Sequence, residues 1–231
     1  MVVGVLMLAS VGGVTTTFRQ PEWCALLMTG VLATALWFWR EPADWFTALA
    51  GALFGPLLEW VAFHYQLWTY PFTSISGMPA WVFTLWPAFP VVLMRLTRAI
   101  LPPDPARQHR VSHLGLGLVV LALEIPALAI LGNSRPSTAL AITAVMLAGA
   151  LAWLRSPQAF LMVGLSGVFG ALCESLPIRA GAWHYPDPAF LGMPCWLPTG
   201  YSLFGFALVQ VGSGLAAVWS LRPNQTRAQA A

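Results

Sequence analysis

Two glutamates stand where ionisable side chains are scarce and therefore chemically informative. Glu59 and Glu174 each lie inside a long apolar stretch. Each is followed after eight residues by W-x-Y-P, and after five more by G-M-P-x-W. A carboxyl group in hydrocarbon is costly, so it faces the interior of a helix bundle, where it pairs or keeps its proton. Such a group can give or hold a proton, or it can hydrogen-bond loop backbone. Both uses are open at this point.

The two stretches are copies. At an offset of 115 residues, 54–81 falls on 169–196 without a gap. The identities include Phe54/Phe169, Gly55/Gly170, Glu59/Glu174, Trp68/Trp183, Tyr70/Tyr185, Gly77/Gly192, Pro79/Pro194 and Trp81/Trp196. Apolar composition alone does not supply matched Trp, Tyr, Gly, Pro and Glu. The same offset sets Trp86 against Tyr201. Trp68, Tyr70, Trp81, Trp183, Tyr185 and Trp196 thus keep a fixed spacing from a glutamate, which suits residues lining a site. An interfacial aromatic belt is the other reading. Glu124 is a third mid-span acid with no counterpart in the first half. It either completes the site or satisfies a helix kinked at Pro126. His64 and Arg179 fall five residues beyond their glutamates, off the acid's face of the helix. Glu22 and Asp187 read as loop acids.

The elements that must position these residues are membrane helices. The chain has 231 residues, 58% hydrophobic and 8% charged, against about 25% charged in soluble domains. With a mean hydropathy of +0.72, a soluble globule, a disordered chain and a nucleic-acid binder are excluded. Eight apolar stretches are expected, near 2–17, 22–39, 43–66, 80–98, 112–132, 137–154, 158–178 and 197–220. The breaks between them carry Pro and a charge, as at Arg40-Glu41-Pro42, Leu101–Pro105 and Arg155-Ser156-Pro157. Pro177 should break or kink the end of the seventh span, and Pro56 should break the other half at a different position.

The expected fold is all-α, a polytopic membrane helix bundle of about eight spans (seven if the short first one is not counted). Two parallel four-helix repeats, 1–115 and 116–231, form a single membrane domain, because four spans per unit preserve orientation. All eleven basic residues are Arg. Arg40, Arg95, Arg98, Arg107, Arg110, Arg155, Arg222 and Arg227 fall on the side of the termini, and Arg19, Arg135 and Arg179 opposite. That bias puts both termini in the cytoplasm of a bacterial inner-membrane protein. The oligomeric state stays open. Cys24, Cys173 and Cys195 show no metal-ligand spacing, and no nucleotide, flavin or zinc motif occurs. No metal and no cofactor are expected.

An acid in a span, eight residues, W-x-Y, and G-x-P opening the next span, all twice, resembles the membrane carotenoid-biosynthesis enzymes. These are the lycopene cyclase domains and the carotenoid hydratase-like families. The cyclases carry paired acids after G-x-P, where this chain has Ala80-Trp81 and Cys195-Trp196. The resemblance implies an enzyme that protonates a C=C of an apolar, isoprenoid-like lipid. Glu59 or Glu174 would be the catalytic acid. Trp68, Tyr70, Trp81, Trp183, Tyr185, Trp196 and Glu124 would line the substrate cavity. Two further readings stand beside it. One is a transporter of a small or lipidic solute; the other is a non-catalytic lipid- or pigment-binding membrane subunit.

Overall fold

The computed structural model describes residues 2–102 and 110–221. Pro103–Pro105 of one expected break, and Arg107, Arg222 and Arg227 of the charge count, lie outside them. Among the described residues the fold is all-helical: α1 (Val2–Thr17), α2 (Pro21–Phe38), α3 (Pro42–His64), α4 (Val82–Ile100), α5 (Val111–Leu131), α6 (Pro136–Leu154), α7 (Pro157–Ala180) and α8 (Leu197–Ser220).

The helix starts follow local chemistry. Proline opens α2, α3, α6 and α7, where its missing N–H is no loss and its fixed φ suits a first turn. Glu41 and Asp44 form a reciprocal capping box at α3. Gly181 ends α7 in the left-handed conformation, with φ 86°. Six helices are long and apolar enough to cross a membrane. α1 is shorter, at 16 residues. α4 has 19 residues and carries Arg95 and Arg98 in its last turns.

Three expectations need correction. α7 runs through Pro177 to Ala180, and α3 runs through Pro56. A proline removes one backbone hydrogen bond, but helix propagation in a bundle survives that loss when neighbours pack around it. Glu22 belongs to the first turn of α2 and not to a loop, which favours it because the helix N-terminus attracts negative charge.

α8 is the axis of the bundle, buried along nearly its whole length and packed on α3, α5 and α7. Lipid tails are as apolar as leucine, so no hydrophobic gain drives these helices together. Close approach does. Gly212 of α8 meets the backbone of Thr47, and Gly214 meets that of Leu114.

One end of α3 and α4 is latched by charge. Arg95 Nε donates to Asp44 Oδ1 at 2.8 Å, Arg95 Nη1 reaches Glu41 at 3.0 Å, and Arg98 Nη1 reaches Glu41 at 2.7 Å. Asp44 is wholly buried. Burial alone would raise the Glu41 carboxyl; Arg95 and Arg98 outweigh it and hold it below the usual carboxylate range.

At the other end, each W-x-Y-P…G-M-P-x-W loop makes the same tight hairpin. Ile75 bridges Met78, and Phe190 bridges Met193. Ser76 and Gly77 have φ 50° and 82°, and Leu191 and Gly192 have φ 49° and 83°. Two successive left-handed residues need glycine at least once, which is why G-M-P recurs.

Candidate functional site

The loops bring the aromatic residues back over the glutamates. Glu59, buried in α3, accepts three hydrogen bonds. Trp68 Nε1 and Tyr70 Oη donate to Oε2 at 2.9 and 2.8 Å, and Trp86 Nε1 donates to Oε1 at 2.8 Å. Glu174, buried in α7, accepts from Tyr185 Oη at 2.8 Å and from Tyr201 Oη. Burial first, and then the adjacent glutamate, pushes the Tyr70 and Tyr185 phenols well above their usual range. Both stay protonated and available as donors.

The two halves meet through residues related by the 115-residue offset. Thr69 N donates to His184 O at 2.9 Å, and His184 N donates to Thr69 O at 3.0 Å. Trp68 packs edge-on against Tyr185 at 5.7 Å, and Tyr70 against Trp183 at 6.1 Å. Trp86 stacks with its equivalent Tyr201 at 6.3 Å. Trp86 also meets Phe204 edge-on, and Phe89 meets Tyr201 in the same way. Each contact repeats when the halves are exchanged, as a pseudo-twofold axis requires.

Glu59, Glu124 and Glu174 border one chamber of about 60 Å³. Trp68, Tyr70, Trp81, Trp183, Tyr185 and Trp196 border it too. The glutamates and the aromatic residues expected to line the cavity therefore come together, but in different states. Trp196 Nε1 donates to Gly132 O at 2.9 Å and so ties the start of α8 to the end of α5. Trp81 Nε1 is buried with no hydrogen-bond partner among the described residues. Both carboxyl oxygens of Glu124 share that condition, and Glu124 is wholly buried. His64 stacks on Trp60 at 5.9 Å, Arg179 sits in the last turn of α7, and His184 joins the site only through its backbone.

Trp86 and Tyr201, which the offset also pairs, line the chamber as well. The same offset pairs Gly55 with Gly170, over which these rings lie. A Cβ at Gly55 would strike Trp86, and one at Gly170 would strike Tyr201.

A second cavity of about 120 Å³ opens beside the chamber, walled by α1, α4 and α7. Its surface is almost wholly apolar, with Val11, Val14, Phe89 and Leu165 among its walls. Leu85, Trp86, Glu174, Trp183 and Tyr201 belong to both spaces. Glu59 and Glu124 border only the chamber. Among the described residues no group of three metal-ligating side chains occurs.

No family model matches the chain, and no curated protein matches it. Two solved structures share its fold, both of MvINS, a mycobacterial Insig homologue from Mycobacterium vanbaalenii. One, a cross-linked trimer, is 20% identical, with a TM-score of 0.65 over 80% of this chain and 98% of that one. The other is 18% identical, with the same TM-score and coverage. This likeness overturns the resemblance to the carotenoid cyclases and hydratases. That resemblance rested on a short acid–aromatic–proline pattern, which a duplicated bundle can reproduce for structural reasons: the glutamates anchor the loop aromatics, and G-M-P makes the hairpin. The chain is a multi-pass membrane protein with an Insig-like helix bundle.

Proposed function

We propose that this protein is a membrane lipid-binding protein holding one amphiphilic lipid between its halves. The carrying observation is the shared wall. An apolar cavity and a carboxylate–aromatic chamber adjoin through Trp86, Glu174, Trp183 and Tyr201. A chain fits the first, a polar head the second, and small-molecule sites combine apolar lining with few polar groups in this way. In this reading Glu59 and Glu174 position the aromatic lining instead of reacting. Trp68, Tyr70, Trp81, Trp183, Tyr185 and Trp196 form the head end, with residues 1–115 and 116–231 as its two four-helix units. The transporter reading gains no support from helix breaks, since α3 and α7 are continuous through their prolines.

The protein purified in mild detergent should retain lipid, identified by mass spectrometry after solvent extraction. Cys173→Phe, which fills the apolar cavity beside Glu174, should lower that retention several-fold. Lipid matching the bulk membrane in kind and amount, unchanged by Cys173→Phe, would refute the reading. The Arg bias supports termini on the cytoplasmic face of a bacterial membrane. A C-terminal reporter active only outside the cytoplasm should stay silent.

A further inference from the structure

Two buried polar groups of opposite kind border the same chamber without partners. Among the described residues Trp81 Nε1–H is a donor with nothing to donate to, and Glu124 offers two acceptor oxygens with nothing to accept. Buried polar groups in native structures are otherwise almost always paired. The repeat sharpens the contrast. Trp196, the equivalent of Trp81, spends its N–H on Gly132 O at 2.9 Å. The equivalent of Glu124 is Ala9. The orphan pair, Trp81 from the first half and Glu124 from the second, therefore has no matched pair across the offset, and among the described residues neither group holds the bundle together by a hydrogen bond.

We infer that the chamber recognises a hydroxyl group at the head of the bound amphiphile, Trp81 donating to its oxygen and Glu124 accepting its hydrogen. The inference rests on the lipid-binding reading above and adds the class of head group. Complementarity favours a hydroxyl over the other common heads. An ammonium has hydrogens for Glu124 but no lone pair for an indole N–H. A carbonyl or ester accepts from Trp81 but brings no hydrogen to Glu124. A phosphate would set negative charge among three glutamates. A hydroxyl gives and accepts one bond each, and it fits a space of about 60 Å³ walled by indole and phenol rings.

The test uses full-length protein in detergent, titrated with 1-hexadecanol, hexadecane and hexadecylamine and followed by tryptophan emission. Hexadecanol should bind about tenfold more tightly than hexadecane, the gain expected when hydrogen bonds to a buried orphan pair are made. Trp81→Phe and Glu124→Leu should each bring the two within about twofold. Glu124→Gln keeps an acceptor and the shape, so most of the preference should survive; it also serves if Glu124→Leu fails to fold. Equal binding of alcohol and alkane, the result for a chamber holding only trapped water, would overturn the inference and leave lipid binding intact. So would tighter binding of the amine, or a preference that persists in both Trp81→Phe and Glu124→Leu. Binding of none of the three probes would remove the lipid-binding reading itself, and this inference with it.

Discussion

The two carboxylate sites share one scaffold and differ in who donates. Glu59 is held by two indoles and one phenol, Glu174 by two phenols. An indole N–H only donates, whereas a phenol both donates and accepts. Glu59 is thus fixed as an acceptor on both oxygens, while the partners of Glu174 can reverse their bonds. Glu174 alone of the three acids also borders the apolar cavity. The locked copy braces the bundle, and the adjustable copy faces the space a ligand would fill. The far ends differ as well. Glu41, Asp44 and Arg95 latch the first half, and the offset gives Ser156, Ala159 and Gln210 in the second. The offset-matched residues share the frame, and the donors and the latch set the two sites apart.

The amide substitution separates the copies most. In Glu59→Gln either amide orientation turns the NH2 toward an indole N–H, Trp68 in one and Trp86 in the other. A donor–donor clash in a buried site should cost about 3 kcal/mol. In Glu174→Gln a phenol can accept from the amide, so the loss should stay near or below about 1 kcal/mol. Equal shifts in thermal unfolding would break the distinction between a locked and an adjustable copy.

Gly55→Ala and Gly170→Ala probe what the copies have in common. Each methyl strikes an aromatic ring that spans from one half toward the other, and overpacking of this kind should cost about 2 kcal/mol. The two losses should match, as measured by denaturant or heat in the same detergent. A large difference would mean that the rings of Trp86 and Tyr201 are not equivalent supports.

The smallest effect lies at the latch. The depressed folded-state pKa of Glu41 gives stability that is present above the ordinary glutamate range and is lost as pH falls through the folded value. Glu41 is half exposed, so solvent discounts the effect. Glu41→Gln should therefore lower the melting temperature slightly at neutral pH, with the deficit vanishing in acid. Ser156→Ala, at the matching place, should show no pH dependence. A deficit at Glu41→Gln that stays constant with pH would show packing, not charge, at the latch.

Much of this architecture was legible in the residues. Apolar runs punctuated by proline and charge gave helix limits close to those observed, because a span has few ways to stop. The offset brought Glu59, Glu174 and their aromatic residues to one place, since copies of a pattern fold alike. What the sequence hid is what depends on contact between distant helices. Asp44 and Arg95 lie 51 positions apart with no periodic signal. Nothing in the pattern told that Trp196 would find a carbonyl and Trp81 would not. Pro56 and Pro177 looked like breaks because local rules weigh a lost backbone bond and cannot see the packing that tolerates it. The likeness to carotenoid enzymes misled for a related reason: a motif that builds a hairpin over an acid records geometry, and geometry is shared more widely than chemistry.

The paired amide bonds between Thr69 and His184 stitch the two loops into a roof over the glutamates. In the lipid-binding reading a guest enters sideways out of the leaflet, through the flank where the short α1 leans on α4 and α7. On that reading the pace of exchange should follow the fluidity of the surrounding bilayer, and a stiffer membrane should slow loading without touching a single contact in the site.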